Sequence, residues 1–410
     1  MTGYVMRCTE CGTEMPSRYR LPLCERCNGL LDIKMNLSGI GAGTEWRTSS
    51  KGVWKYVALL PIPPDITPVT LGEGDTPLLR TPRLQESLGI EELYVKFEGA
   101  NPTGSFKDRG MTVGVTHALE LGEEILACAS TGNTSASLAA YAARAGLRTI
   151  IFIPSNQVAL GKLSQAAAMG SEIVEVDGNF DEALRLLLGS AHESGPYVLN
   201  SVNPFRIEGQ KTVAFEIYDQ LGRVPENVIL PVGNAGNISA AWKGFSELKE
   251  IGAIDRTPRM IGVQATGASP VVDAVSKGAT EIVPVVKPET IASAIRIGRP
   301  ASWKKALLAI HESGGTAVAV GDQEIIRAQS MLATLEGIFV EPASAAPVAA
   351  LRHLIHQGVI AQGESTVCIA TGHGLKDPES PICHVRTLKI DKLSGLGGGL
   401  GAVTSQPLGR

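Results

Sequence analysis

The chain has 410 residues, 44% hydrophobic and 19% charged, an ordinary globular composition with enough length for two or three cores. A net charge of −4 creates no field that would gather nucleic acid or an anionic membrane, so neither is expected as a partner. No apolar run reaches the 18 or so residues that span a bilayer. Residues 1–20 carry charges and cysteines where a signal peptide would be apolar, and the chain therefore reads as cytoplasmic.

Four of the seven cysteines fall in the first 27 positions. Cys8-Thr-Glu-Cys11-Gly12 is answered, after twelve intervening residues, by Cys24-Glu-Arg-Cys27-Asn28. Two such pairs, each followed by a residue that tolerates a left-handed backbone, close a four-thiolate tetrahedron around zinc. Residues 1–35 are too few to bury a core, so the metal would supply their folding energy. Two disulfides are disfavoured by a reducing compartment, and redox pairs by the lack of a surrounding βαβ pattern. Nucleic-acid binding by this ribbon finds little support in five basic residues against four acidic ones. Of the scattered cysteines, Cys128 and Cys368 lie in apolar runs and read as buried thiols, and Cys383 carries no reading.

From about 37 to 82 the sequence is irregular, with Pro61-Ile-Pro63-Pro64 reading as a connector. An alternation then begins. Strands are expected at 124–129, 148–153, 172–176 and 197–199, with helices at 134–144, about 160–169, and from Asn179, where Glu182 completes a capping box. A helix to about Leu221 follows, then strands at 228–232, 260–265, 317–320 and 366–370, with helices after Asn237, at 322–336 and near 344–357. Short apolar runs alternating with amphipathic helices mean parallel sheets covered on both faces. The expected fold class is α/β: two open, mostly parallel αβα sandwich domains plus the small N-terminal ribbon. Ligands of such sheets bind at the carboxyl ends of strands.

Three loops at such ends stand out. Ser130-Thr131-Gly132-Asn133-Thr134-Ser135 gathers donors at a helix N-terminus and suits a carboxylate or phosphate, although the same residues also simply cap helices. Gly233-Asn234-Ala235-Gly236-Asn237 lets successive N–H groups converge on one phosphate, or is merely a tight turn; it is neither dinucleotide fingerprint nor P-loop. Ala370-Thr371-Gly372-His373-Gly374 offers a hydroxyl to a heteroaromatic nitrogen. A fourth element, Asn101-Pro-Thr-Gly-Ser105-Phe106-Lys107-Asp108-Arg109-Gly110, puts a lysine at a helix start, where the dipole favours its free amine. Most lysines are surface residues, and spacing alone does not lift this one above them.

Together with Glu289–Trp303 in full (Glu-Thr-Ile-Ala-Ser-Ala-Ile-Arg-Ile-Gly-Arg-Pro-Ala-Ser-Trp) and Val340-Glu-Pro-Ala-Ser-Ala345, these motifs resemble the threonine synthase branch of the tryptophan-synthase-β-like pyridoxal-phosphate enzymes. The resemblance runs from about 70 to 390. It implies pyridoxal 5′-phosphate as cofactor and Lys107 as the Schiff-base lysine. Asn133 would face the cofactor's ring oxygen, Gly233, Asn234, Ala235, Gly236 and Asn237 its phosphate, and Thr371 its pyridine nitrogen. Ser130, Thr131 and Thr134 would take the substrate carboxylate or phosphate, with Asn200, Ser201 and Arg206 on the substrate's phosphate side. The substrate would be a small amino-acid phosphate ester, and the assembly a homodimer. The implied domains are 1–35 (Cys8, Cys11, Cys24 and Cys27 on zinc), 36–99 and 199–394 (large), 100–198 (small), and a glycine-rich tail, 395–410. Competing readings are β-replacement on O-phosphoserine, a serine or threonine dehydratase, a non-catalytic scaffold, and a zinc-ribbon nucleic-acid binder. The phosphate-side residues argue against the dehydratase, a product assay separates O-phosphoserine from its one-carbon-longer homologue, visible absorbance tests the third, and salt-dependent DNA retention the last.

Overall fold

A computed structural model describes residues 3–43, 46–155, 160–178, 180–192 and 194–377. The tail 395–410, Cys383 and the capping residue Asn179 lie outside them. The chain opens with β1 (Tyr4–Cys8), β2 (Glu14–Met15) and β3 (Leu31–Met35), an antiparallel sheet in the order β2-β1-β3. Met6, Cys8, Leu31, Ile33 and Met35 all point inward, the period-two pattern of a half-buried sheet. Their face continues into the core formed with Phe205, Phe215 and Phe245. The ribbon is therefore docked.

The stretch expected as an irregular connector is core instead. Residues 52–59 wind into a 3-10 helix, and Trp46 is fully buried, stacked on Tyr56 at 5.8 Å and edge-on to Phe215. Aromatic burial there outweighs the signal of the prolines. Next come β4 (Leu78–Arg80), α1 (Pro82–Leu88) and β5 (Leu93–Phe97). β4 fell in the stretch read as irregular, and β5 was not expected because Lys96 interrupts its apolar run; in the fold Lys96 is buried and its Nζ meets Glu216 at 2.8 Å.

The alternation then proceeds as read. It runs α2 (Lys107–Leu121), β6 (Ile125–Ala129), α3 (Asn133–Ala145), β7 (Arg148–Pro154), α4 (Leu160–Ala168), β8 (Glu172–Val176), α5 (Phe180–Ser190) and β9 (Tyr197–Val198). The helix expected up to Leu221 is two pieces, α6 (Pro204–Gln210) and α7 (Thr212–Leu221), meeting at Lys211, whose backbone stays right-handed. The remainder is β10 (Asn227–Pro231), α8 (Gly236–Glu250), β11 (Arg259–Ala265), α9 (Pro270–Ser276), α10 (Trp303–Glu312), β12 (Thr316–Val320), α11 (Asp322–Glu336), α12 (Pro342–His356) and β13 (Thr366–Ala370).

A six-stranded sheet runs β12-β11-β10-β13-β5-β4, parallel except for edge strand β4; a four-stranded sheet runs β8-β7-β6-β9, all parallel. In the larger sheet Ile229 lies opposite Ile261 and Val228 opposite Val367. Strands β10 and β13 are buried at every position, as central parallel strands covered on both faces must be. The chemistry-bearing loops follow β5, β6, β10 and β13.

Candidate active site

Lys107 is the first residue of α2, and its neighbours in sequence fix where it stands. The Asp108 carboxylate accepts from Thr103 N at 2.7 Å, Thr103 Oγ1 at 2.6 Å and Ser137 Oγ at 2.6 Å, tying the loop before α2 to α3. Arg109 is fully buried and forks between Glu98 and Glu216, with four N–H···O bonds of 2.6–2.7 Å. Although burial opposes it, the adjacent Arg109 and Lys96 hold the Glu216 carboxyl down at about 2. These paired charges lock the start of α2 from below.

The Lys107 ammonium lies 3.9 Å from the Phe106 ring centroid. Burial, with the Arg206 charge adding to it and Glu341 opposing both, brings its pKa down to about 7. The free amine expected from helix position is thus favoured chiefly by desolvation. Arg206, on α6, is 1% exposed and donates from Nη1 to Leu199 O at 3.1 Å. Its Nε is buried without a partner, and among the described residues no carboxylate pairs with it. Burial lowers it to about 10, so it still carries its charge at neutral pH. An unpaired buried guanidinium is a strong anion site.

The other loops close round this pair. Asn133 begins α3, with Ser130, Thr131 and Thr134 half-buried beside it; Ser130 Oγ accepts from Gly132 N at 3.2 Å. At the start of α8, Ala235 takes a left-handed backbone (φ 65°), and the N–H groups of Gly236 and Asn237 have no helical acceptor. A Cβ on Gly233 would sit 2.8 Å from Ala294 O, so only glycine fits there. Asn234 receives Ser302 N on its carbonyl at 3.0 Å, which seats the 289–303 run over this loop. Thr371 directly follows β13, 4% exposed; its carbonyl accepts from Phe106 N at 2.9 Å, and its hydroxyl lies 3.0 Å from Ser344 Oγ. Asn200 is 6% exposed and spends its amide on the backbone of Ala129, at 2.9 and 3.0 Å, leaving one Nδ2 hydrogen. Ser201 stands half-buried in the next turn.

Residues 69–372 match a family model described as pyridoxal-phosphate dependent enzyme. A threonine synthase of Methanocaldococcus jannaschii is 55% identical over 382 residues, covering 92% of this chain and 94% of that protein. The chain belongs to the threonine synthase family. A threonine synthase of Mycobacterium leprae is 53% identical over 328 residues, covering 80% of this chain and 89% of its own length. The fold alone is shared with maize serine racemase: TM-score 0.64 at 22% identity, over 73% of this chain and 88% of that one.

The family's cofactor fits the residues present. The Asn237 amide nitrogen and the Ser105 hydroxyl are buried without partners, Gly233 keeps its loop open, and an amine driven towards its free form stands between the loops. A metal fits the ribbon equally well. The sulfurs of Cys8, Cys11, Cys24 and Cys27 all lie within 4.8 Å of one another, with Cys8–Cys27 at 3.5 Å and Cys11–Cys24 at 3.7 Å. Sulfurs about 2.3 Å from a tetrahedral zinc are spaced about this far apart. All four are free thiols, and Gly12 and Asn28 take the left-handed backbone that their sequence positions suggested. Sequence reasoning missed Glu341, which lies buried immediately before α12 with its carboxylate on Asn133. Its only signal was a carboxylate inside an otherwise small and apolar run.

Proposed function

We propose that the chain converts O-phospho-L-homoserine and water into L-threonine and phosphate, with Lys107 as the covalent anchor of pyridoxal phosphate and the carrier of the reacting proton. The observation that supports this most is the buried, unpaired guanidinium of Arg206 beside a lysine pushed towards its free amine. Bound pyridoxal phosphate supplies an electron sink that makes an amino acid's α-proton removable. The Lys107 amine takes that proton and later returns one to the α-carbon. Arg206 grips the substrate phosphate bidentately and favours its departure, with Asn200 and Ser201 alongside. Ser130, Thr131 and Thr134, at the positive end of α3, receive the substrate carboxylate. Asn133 is assigned to the cofactor's ring oxygen, Gly233 to Asn237 to its phosphate, and Thr371 to its ring nitrogen, which a hydroxyl leaves unprotonated.

The strand membership of the two sheets supports reading 100–198 as the small domain and 36–99 with 199–394 as the large one. The sulfur spacing supports structural zinc on the four cysteines. No described helix is long and apolar enough to cross a membrane. The homodimer and the cytoplasmic setting rest on the family likeness.

The test is to incubate the purified protein separately with O-phosphohomoserine and O-phosphoserine, following phosphate and threonine together. Equal release of phosphate and threonine from the first is expected. Phosphate from O-phosphoserine alone, or a keto acid in place of threonine, would overturn the reading.

A further inference from the structure

Glu341 carries an observation that the reaction does not use. It is the residue before α12, yet its side chain does not cap that helix. The carboxylate instead crosses the face of Gly372: a Cβ on that glycine would sit 2.6 Å from Glu341 Oε1. The Glu341 backbone is pinned as well, its N–H donating to Gly372 O at 3.1 Å. Beyond Gly372 the side chain meets Asn133, whose Nδ2 donates to both carboxylate oxygens, at 3.2 and 3.1 Å. Among the described residues no cation forms an ion pair with it. Burial raises its pKa above the ordinary carboxylate value, with Asp377 adding to this, while the Asn133 hydrogen bond and the Lys376 and Lys107 charges favour its anion.

A side-chain amide offers two chemically opposite ends, and its neighbours decide which way it faces. With Oδ1 turned to Glu341, two acceptors would abut in a buried site, so the carboxylate forces Nδ2 inward to itself. One Nδ2 hydrogen bonds the carboxylate and the second remains free for an acceptor in the cleft. A protonated or amidated Glu341 could donate to Oδ1 and would remove that choice.

We propose that Glu341 is a positioning residue that acts through Asn133, fixing the amide so that a donor faces the oxygen of the bound cofactor. This rests on the assignment of the cleft to pyridoxal phosphate and adds to it a residue that determines how the cofactor is held. Hydrogen bonds to a charged group are worth enough that losing this orientation weakens cofactor binding by about ten- to a hundredfold.

The experiment is a double-mutant cycle on the dissociation constant of pyridoxal phosphate, with Glu341→Gln, Asn133→Ala and the pair, in proteins stripped of cofactor. Glu341→Gln is expected to weaken binding by the stated factor in the natural background and by less than about twofold when Asn133 is already alanine. The same weakening in both backgrounds, or none in the natural one, would overturn the proposal. Gly372→Ala provides a second route, since its methyl displaces the carboxylate without changing charge; it should weaken binding as Glu341→Gln does, and normal affinity would contradict the account. The unsubstituted protein separates the two layers. If it shows no visible band with the cofactor, the cleft assignment fails; if it shows the band and the cycle is additive, only the role of Glu341 fails.

Discussion

A lysine whose pKa is pushed down to about 7 differs from an ordinary one in when it reacts. Above pH 7 most of the Lys107 population is free amine, so capture of pyridoxal phosphate by the stripped protein should rise with pH, reach half its maximum near 7 and then level. Stopped-flow absorbance from pH 6 to 10 checks this. A rate still climbing tenfold per pH unit between 8 and 10 would mean an unperturbed ammonium. Arg206 is the second residue with a distinct signature. Removing a buried charge contact to a leaving dianion costs about 2–5 kcal/mol, or roughly tens- to a few thousandfold. Arg206→Ala should lose that much in kcat/KM for the phosphate ester while retaining bound cofactor; unchanged turnover would remove Arg206 from the site. Lys107 and Arg206 were singled out in the sequence only through the motifs around them. Glu341 was not, because what makes it notable is the absence of a counter-charge, and that is a property of packing.

Between elements, the site depends on how closely α2 and α6 approach. Three glycines line their crossing: a Cβ would lie 2.6 Å from Arg206 O at Gly110, 2.6 Å from a Leu199 methyl at Gly114, and 1.8 Å from Arg109 O at Gly209. Lys107 begins one helix and Arg206 lies on the other, so the crossing sets the distance between amine and guanidinium. Gly209→Ala must drive the helices apart. Overpacking of this kind costs about 1–3 kcal/mol, seen as a lower urea midpoint, and here kcat/KM should fall with it. A variant with natural stability and activity would show that the crossing tolerates a methyl. Most of the alternating strands and helices from 125 onward were legible because the strands are largely apolar; α9 and α10 were not read. Strand β5 was hidden by Lys96, a charge that reads as solvent-exposed until Glu216, 120 residues later, is brought against it. The 37–82 stretch was misread for a related reason: its turns and prolines mask Trp46 and Tyr56, whose partners Phe215 and Tyr218 lie on α7.

Across the whole molecule, the ribbon ties both sheets' surroundings together. On one side Arg20 forks onto Glu123 at 2.6 and 2.7 Å and reaches Gly195 O at 2.9 Å; on the other Lys305 meets Asp32 at 2.7 Å and Lys304 pairs with Glu10. Between them Tyr4 packs edge-on to Phe205, the residue before Arg206, at 5.9 Å. With a metal on the four cysteines, as proposed, chelation should melt this segment first and leave α6 less well supported. Hydrogen exchange should show protection lost at 3–35 on chelation, with a lowered thermal midpoint for the rest. Unchanged exchange in a verified metal-free protein would show that the cysteines do not need an ion.

All of the chemistry requires one amine, at the start of α2, to be bonded to the cofactor. Borohydride reduction of the cofactor-loaded protein followed by peptide mapping tests this most directly. The reduced pyridoxyl group is expected on Lys107 alone; a label on any other lysine, or none, would contradict the account.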